Sequence, residues 1–358
     1  MMKRIIGIDV ARALAVIGMI IVNFKVAFGN NGNQTLKYFT SLFEGKAAAT
    51  FVVLAGVGLA FMSNSSIQNR DQQKLHNVRN KIIKRAIFLF IIGVVYLPIW
   101  IADILHFYGV YMLLTVLFLT VDKSKILLVA GAIILLYPIL MLFFDYDIGW
   151  DYKTFEYHNF WTLSGFTRNL FYNGFHPVIP WVSFMLIGLW FGKQNLADEK
   201  FVKKSMIVSM CVFVITVIVS KILLYIFSEG NTETLNELSQ VLGTSPMPPL
   251  PFYMIAGSSF AIGIISICIL ISNKYKEHFI IQVLKSTGQL ALTFYVAHVV
   301  IGMGIVAVLN PENMGSYSIT FSFTYALLFS FLCVVFAYLW TQKKEQGPLE
   351  WIIRKLTN

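Results

Sequence analysis

Long apolar blocks separated by short polar ones dominate the chain. Blocks able to cross a hydrocarbon layer fall at 5–28, 45–63, 83–101, 103–121, 126–144, 177–192, 204–227, 251–272, 287–309 and 319–341. A crossing helix needs roughly 20 apolar residues at a rise of about 1.5 Å each, so the pattern predicts about ten spans. Between the third and fourth, "PIWIAD" carries Pro98 and Asp103, which favours a tight hairpin over one very long helix. The expected fold is all-α, a polytopic transmembrane bundle over 1–341. Residues 342–358 follow as a separate amphipathic helix: in "GPLEWIIRKLT", Pro348 suits a first turn, Glu350 lies near the start, and Arg354 and Lys355 lie near the end. That helix either docks on the bundle's own face or recruits a partner. The first block is longer than a signal-peptide core and no small-residue cleavage site follows it, so it reads as a retained anchor.

Composition agrees with the pattern. Of 358 residues, 57% are hydrophobic and 13% charged, and the mean hydropathy is +0.70, more apolar surface than a water-soluble core requires. Cys211, Cys268 and Cys333 all lie in apolar runs, with neither a disulfide framework nor a metal-binding spacing.

The net charge of +10 is distributed by side. One set of loops holds Lys3, Arg4, Arg70, Lys74, Arg79, Lys81, Lys84, Arg85, Lys123 and Lys125, with more basic residues in 193–203, 273–286 and the tail. The opposite set holds few basic residues, among them Lys37, Lys153 and Arg168, and is acidic at Asp145, Asp147, Asp151, Glu156, Glu229, Glu233, Glu237 and Glu312. The positive-inside rule then puts both termini in the cytoplasm of a bacterial-type plasma membrane. Basic residues distributed this way mark topology and do not form a nucleic-acid surface. On the outer side, 145–176 is long and aromatic, with Trp150, Tyr152, Phe155, Tyr157, Phe160 and Trp161. It is either a functional lid or an interfacial aromatic belt.

Candidate chemistry begins in "RIIGIDVARALAVIGMIIVNF", where Asp9, Arg12 and Asn23 interrupt the first span. At about 100° per residue the three share one face over roughly 21 Å of depth, and that face should point into the bundle. Asp9 and Arg12 either form an i,i+3 ion pair that locks packing or line a polar route. Asn23 lies too deep for its short side chain to reach water, so it needs a buried partner or a ligand. In "ADILHFYGVYML", Asp103 and His106 have the same i,i+3 spacing. A carboxylate beside an imidazole orients the ring and raises its basicity, as a general base requires. His176 opens the sixth span and His298 lies midway along the ninth, each either a site residue or a structural hydrogen bond. "AGVGLA", residues 55–60, reads as close helix packing by small residues. Lys84 and Arg85, at the entry of the third span, are either an ordinary basic flank or a phosphate site.

Several stretches together resemble the transmembrane acyltransferase superfamily, which includes heparan-α-glucosaminide N-acetyltransferase and the bacterial YeiB-type membrane proteins. They are the first-span motif, "FEGKAAATFVVLAGVGLAF", "KRAIFLFIIGVVYLPIWIADILHFYGVYMLL", "HPVIPWVSFMLIGLWFGK" and "GPLEWIIRKLT". The resemblance implies transfer of an acyl group, acetyl above all, from cytosolic acyl-CoA to an extracytoplasmic hydroxyl or amine such as a cell-envelope glycan, with no metal. It implies Arg12, Lys84 and Arg85 at a basic donor mouth, and Asn23 as the amide that hydrogen-bonds the reacting carbonyl. One departure stands out: the heparan-type enzymes carry a catalytic histidine in the first extracytoplasmic loop, and here "KVAFGNNGNQTLKYFTSLFEGK" has none. His106, oriented by Asp103, is the expected replacement, ahead of His176 and His298. The alternative is a transporter of a small amphipathic molecule or lipid precursor, with Asp9, Arg12 and Asp103 as gating charges. A scaffold in which every buried polar group is structural is the third reading. Lipids and the acceptor are the expected partners, and a homodimer is left open.

Overall fold

A computed structural model describes residues 4–152, 154 and 156–357. Lys3, Lys153 and Phe155, and Asn358 at the end of the tail, lie outside the described residues. The helices are α1 (Ile6–Phe28), α2 (Gln34–Ser41), α3 (Lys46–Gln68), α4 (Gln72–Tyr96), α5 (Leu105–Val116), α6 (Lys123–Phe143), α7 (Leu163–Arg168) and α8 (Val178–Gly192). They continue with α9 (Glu199–Ser228), α10 (Thr232–Leu242), α11 (Pro251–Lys274), α12 (Phe279–Gln289), α13 (Ala291–Ala297), α14 (Gly304–Leu309), α15 (Ile319–Thr341) and α16 (Pro348–Thr357). A two-residue hairpin, β1 (Trp150–Asp151) against β2 (Glu156–Tyr157), is the one sheet among the described residues.

The architecture is the all-α bundle the apolar pattern predicts, with a smaller number of spans. Among the described residues seven helices are long and apolar enough to cross a membrane, and the pair Leu163–Asn173 and Val178–Gly192, bent by 46°, makes an eighth if it is one broken span rather than a re-entrant segment. The difference from about ten arises around residue 100. The third block is the end of α4, whose preceding turns carry Lys74, Arg79, Lys81, Lys84 and Arg85 among a few apolar residues such as Leu75 and Ile82. The fourth block yields only the short α5.

The chain forms two compact units, one of residues 1–54, 196–207 and 261–358, the other of 55–195 and 208–260. In the first unit, α1 packs against α12, α13 and α15. Gly288 makes the α1–α12 approach possible, because a Cβ there would sit 1.8 Å from the carbonyl oxygen of Asp9. Phe24 and Phe28 are fully buried and meet Tyr325 edge-on or tilted. The tail helix α16 packs on α13. Its Glu350 carboxylate accepts from the amides of Leu292 and Thr293 at 2.8 and 3.1 Å and from the Thr293 hydroxyl, covering amides that the first turn of α13 leaves unpaired.

Burial raises the Glu350 carboxyl above the ordinary glutamate value, against the opposing pull of those hydrogen bonds. The folded carboxyl therefore holds its proton more tightly than the unfolded one. Docking of α16 should be firmest below the ordinary glutamate range and weaken as pH rises through the raised value. Amide exchange across 348–357, followed against pH, should show this trend in the native chain and lose it in Glu350→Gln.

In the second unit, α4 and α5 form a close hairpin, α5 and α6 pack on α8, and α6 leaves one side exposed. The small residues of 55–60 do pack closely: a Cβ on Gly56 would lie 2.0 Å from the Met185 carbonyl oxygen of α8.

The loop that follows α6 has a buried polar centre. Asn173, wholly buried, donates from Nδ2 to the carbonyls of Tyr146 and Ile148 at 2.7 and 2.8 Å, and its Oδ1 accepts the Tyr157 hydroxyl at 2.7 Å. Its own carbonyl accepts the Trp150 indole N–H. This segment is thus a folded cap whose aromatic rings pack on one another, Trp150 against Tyr157 and Phe175. Asn173→Ala should cost about 1–3 kcal/mol per buried group left unsatisfied. The check is a drop in melting temperature together with a red shift of tryptophan emission as Trp150 meets water.

Candidate functional site

The hairpin of α4 and α5 builds the first polar cluster. Pro98 and the turn residues after Tyr96 end α4, and Asp103 stands just ahead of α5. One carboxylate oxygen of Asp103 accepts from two groups of His106, the backbone N–H at 3.2 Å and the ring Nδ1 at 3.1 Å. Asp103 therefore covers an amide of the helix start and fixes the imidazole with the same atom. With Nδ1–H donated to the carboxylate, the lone pair sits on Nε2. That atom is buried without a hydrogen-bond partner. Both side chains are shut away, at 0% and 1% exposure, and a basic nitrogen with a free lone pair in such a place is what proton abstraction requires.

Two glycines place this dyad. A Cβ on Gly93 of α4 would lie 2.2 Å from the His106 backbone nitrogen, and one on Gly109 of α5 would lie 2.6 Å from the Ala86 carbonyl oxygen. The hairpin can close only because both positions lack a side chain.

His176 joins the same neighbourhood. It lies in the break between the π-helical turn Asn169–Asn173 and α8, where Gly174 is extended and Pro177 precedes the helix start. Its carbonyl accepts the Tyr111 hydroxyl. Phe107 packs on both imidazoles, 3.9 Å from the His106 ring and 6.0 Å from that of His176. Trp181 meets the His176 ring edge-on at 4.6 Å. The Trp181 indole N–H and His176 Nδ1 are also buried without hydrogen-bond partners. Unsatisfied groups of this kind are costly, and three of them lie in one neighbourhood.

A second cluster lies in the other unit. Asn23 of α1 meets His298, with Nδ2 2.9 Å from the ring Nε2. His298 is fully buried and opens a π-helical stretch, His298–Met303, between α13 and α14. The partner that Asn23 requires is therefore an imidazole 275 positions away. The Tyr295 ring packs against the same imidazole at 5.3 Å. Asp9 of α1 is buried and held by two guanidinium groups, Arg4 at 2.7 Å and Arg12 at 2.9 Å. Arg12 thus forms the i,i+3 ion pair, and its charge is already shared with Asp9.

Of the remaining basic residues, Lys84 is exposed on α4 and Arg85 is half-buried, its guanidinium 3.5 Å from the sulfur of Met62. Sequence reasoning missed Asn173, whose partners span residues 146–157. The Asn173–Gly174 pair, a turn signal, was its only local trace. Also missed was Lys193, whose ammonium donates to the carbonyls of Leu119 and Val121 at 2.8 Å each, closing the turn after α5.

Comparison with known families gives two matches. The model described as heparan-alpha-glucosaminide N-acetyltransferase, catalytic, matches residues 4–230. A model described as a protein of unknown function (DUF418) matches residues 190–358. No curated protein matches the chain. Asn23, Asp103, His106 and His176 fall within the first match, and His298 within the second.

Proposed function

We propose, from the premise that this chain belongs to the family of the heparan-α-glucosaminide N-acetyltransferase catalytic region, that it transfers an acyl group across the membrane in which it is embedded. The family is one of acetyltransferase-type membrane enzymes. The donor is cytosolic acetyl-CoA or a related thioester, and the acceptor an extracytoplasmic hydroxyl or amine. Both termini face the cytoplasm of a bacterial-type plasma membrane. This is supported by the asymmetry of basic loops.

The observation that carries the reading is the Asp103–His106 pair with its unpartnered Nε2. His106 Nε2 takes the proton from the acceptor hydroxyl or amine as that atom attacks the thioester carbonyl. The carbon–sulfur bond then breaks, the thiolate leaves, and the proton returns from the imidazolium to the sulfur. Asp103 holds the ring and stabilises its transient positive charge. The Trp181 indole N–H donates to the oxygen that gains negative charge, a role supported by its packing beside His176 and its lack of another partner. In the first unit, Asn23 and His298 form a separate polar pair, where the amide N–H not aimed at the imidazole can donate to a carbonyl. Lys84 and Arg85 supply positive charge for the donor's phosphates.

The test is direct. Full-length protein in nanodiscs is mixed with acetyl-CoA and a panel of sugar and amine acceptors, and free thiol is followed with a disulfide reagent. Saturable thioester binding with acceptor-dependent thiol release supports the proposal. Absence of any thioester binding, with extracellular acylation unchanged on gene deletion, overturns it.

A further inference from the structure

The tail helix α16 turns one face inward and leaves the other uncovered. Glu350, Ile353 and Thr357 share the inner face by helical spacing: Glu350 reaches the amides of α13, and the other two are buried. On the remaining surface Trp351, Ile352 and Leu356 are 55%, 37% and 58% exposed, with Arg354 and Lys355 exposed among them. A short helix that shows Trp, Ile and Leu together with Arg and Lys has the composition of one lying in a membrane interface.

Its position agrees. Both α11 and α15 are of spanning length, 24 and 23 residues, so each crosses about 30 Å of hydrocarbon and ends near the headgroups. Those ends meet. The Phe279 ring, shortly after α11, packs 5.5 Å from Tyr338 of α15, and the Thr341 hydroxyl donates to Ser286 of α12 at 2.9 Å. The Trp340 indole N–H donates to the Gln346 carbonyl at 2.8 Å, and the Leu349 amide donates to the Thr293 hydroxyl at 3.2 Å. These bonds tie α16 beside the point where α15 leaves the hydrocarbon.

Charge then names the partner. Segments 274–286 and 342–357 hold seven lysines and arginines against three glutamates. Glu350 is turned inward and Glu277 lies 3.8 Å from Lys276, which leaves an excess of positive charge on the surface. Two lysines carry their ammonium over an exposed ring, Lys355 over Trp351 at 5.0 Å and Lys274 over Tyr275 at 5.2 Å. That pairing suits a ring at headgroup level with the ammonium among phosphates. A zwitterionic headgroup brings no net charge to balance the excess, whereas an anionic one does. An acidic protein would match the charge but not the apolar groups at the hydrocarbon edge.

We propose that the outward face of α16, together with the turn between α11 and α12, binds anionic phospholipids of the leaflet at which α11 and α15 end. Trp351, Ile352 and Leu356 enter the acyl boundary, and Lys274, Arg354 and Lys355 meet the phosphates. This surface is independent of the acyl-transfer reading.

The experiment uses full-length protein in nanodiscs and lipids with dibrominated acyl chains, which quench tryptophan at the acyl boundary. The Trp351 signal is isolated as the difference between the native chain and Trp351→Phe. Brominated phosphatidylglycerol or brominated phosphatidylcholine is added stepwise to a phosphatidylcholine background. Half-maximal quenching of Trp351 should require about fivefold less of the phosphatidylglycerol, the factor that one basic residue near a charged surface supplies. Arg354→Gln combined with Lys355→Gln, both at exposed positions, should remove most of that difference at an unchanged melting temperature. Equal quenching by the two lipids in the native chain overturns the proposal, as does a preference that survives the double substitution. Quenching by neither lipid also overturns it and assigns the face to a protein.

Discussion

His106→Ala should lower acyl transfer by about 10²–10⁴-fold, the range removed with a positioned general base, while the bundle still folds. The argument is geometric. The imidazole donates through Nδ1 to Asp103 and leaves Nε2 without a partner at 1% exposure. Alanine removes the base, whereas the helix start keeps its cap, because Asp103 still accepts the residue 106 amide. Asp103→Asn should also lose activity, since an amide offers no negative charge to the imidazolium and can favour the other tautomer. Thiol release with and without acceptor measures both variants. A structural role for His106 would instead lower the melting temperature and leave turnover per folded molecule unchanged. That result would sink the assignment.

The second large effect is expected from a residue with no functional group. Gly93→Val should cost about 1–3 kcal/mol as an overpacked contact and reduce transfer about 10²-fold, the loss that follows from displacing a reacting group by an ångström. The cause is the 2.2 Å between an added Cβ and the His106 backbone nitrogen, a gap that only movement of α5 away from α4 can relieve. Gly131→Ala is the matching control, because a Cβ there on α6 meets nothing within 4 Å. Melting temperature and thiol release should both fall in the first variant and hold in the second. Equal behaviour of the two would show that the hairpin does not position the base.

The local part of this protein was written in the sequence. Apolar blocks of spanning length dictate helices because hydrocarbon offers backbone groups no partner except their own chain. Two polar pairs were legible for a related reason. Asp9 and Arg12 are brought to one face by a helical turn, and Asp103, just ahead of α5, reaches the amide and ring of His106 across the same three-residue spacing at the helix start. The extent of α4 was less legible, because its first half is mostly charged and polar and carries only scattered apolar positions such as Leu75, Val78 and Ile82.

Tertiary structure alone decided the rest. Asn23 announced a need for a partner, but nothing near it in the chain named His298. Asn173 gathers groups from Tyr146 to Tyr157, and Glu350 covers amides at Leu292 and Thr293; each needs segments that only folding brings together. A groove likewise joins Leu140 and Phe143 of α6 to Leu163, Ser164 and Thr167 of α7. Helical periodicity reports on neighbours a turn away, whereas contacts between distant segments depend on which faces pack, and packing is set by shape at positions such as Gly93 and Gly288 that carry no pattern of their own.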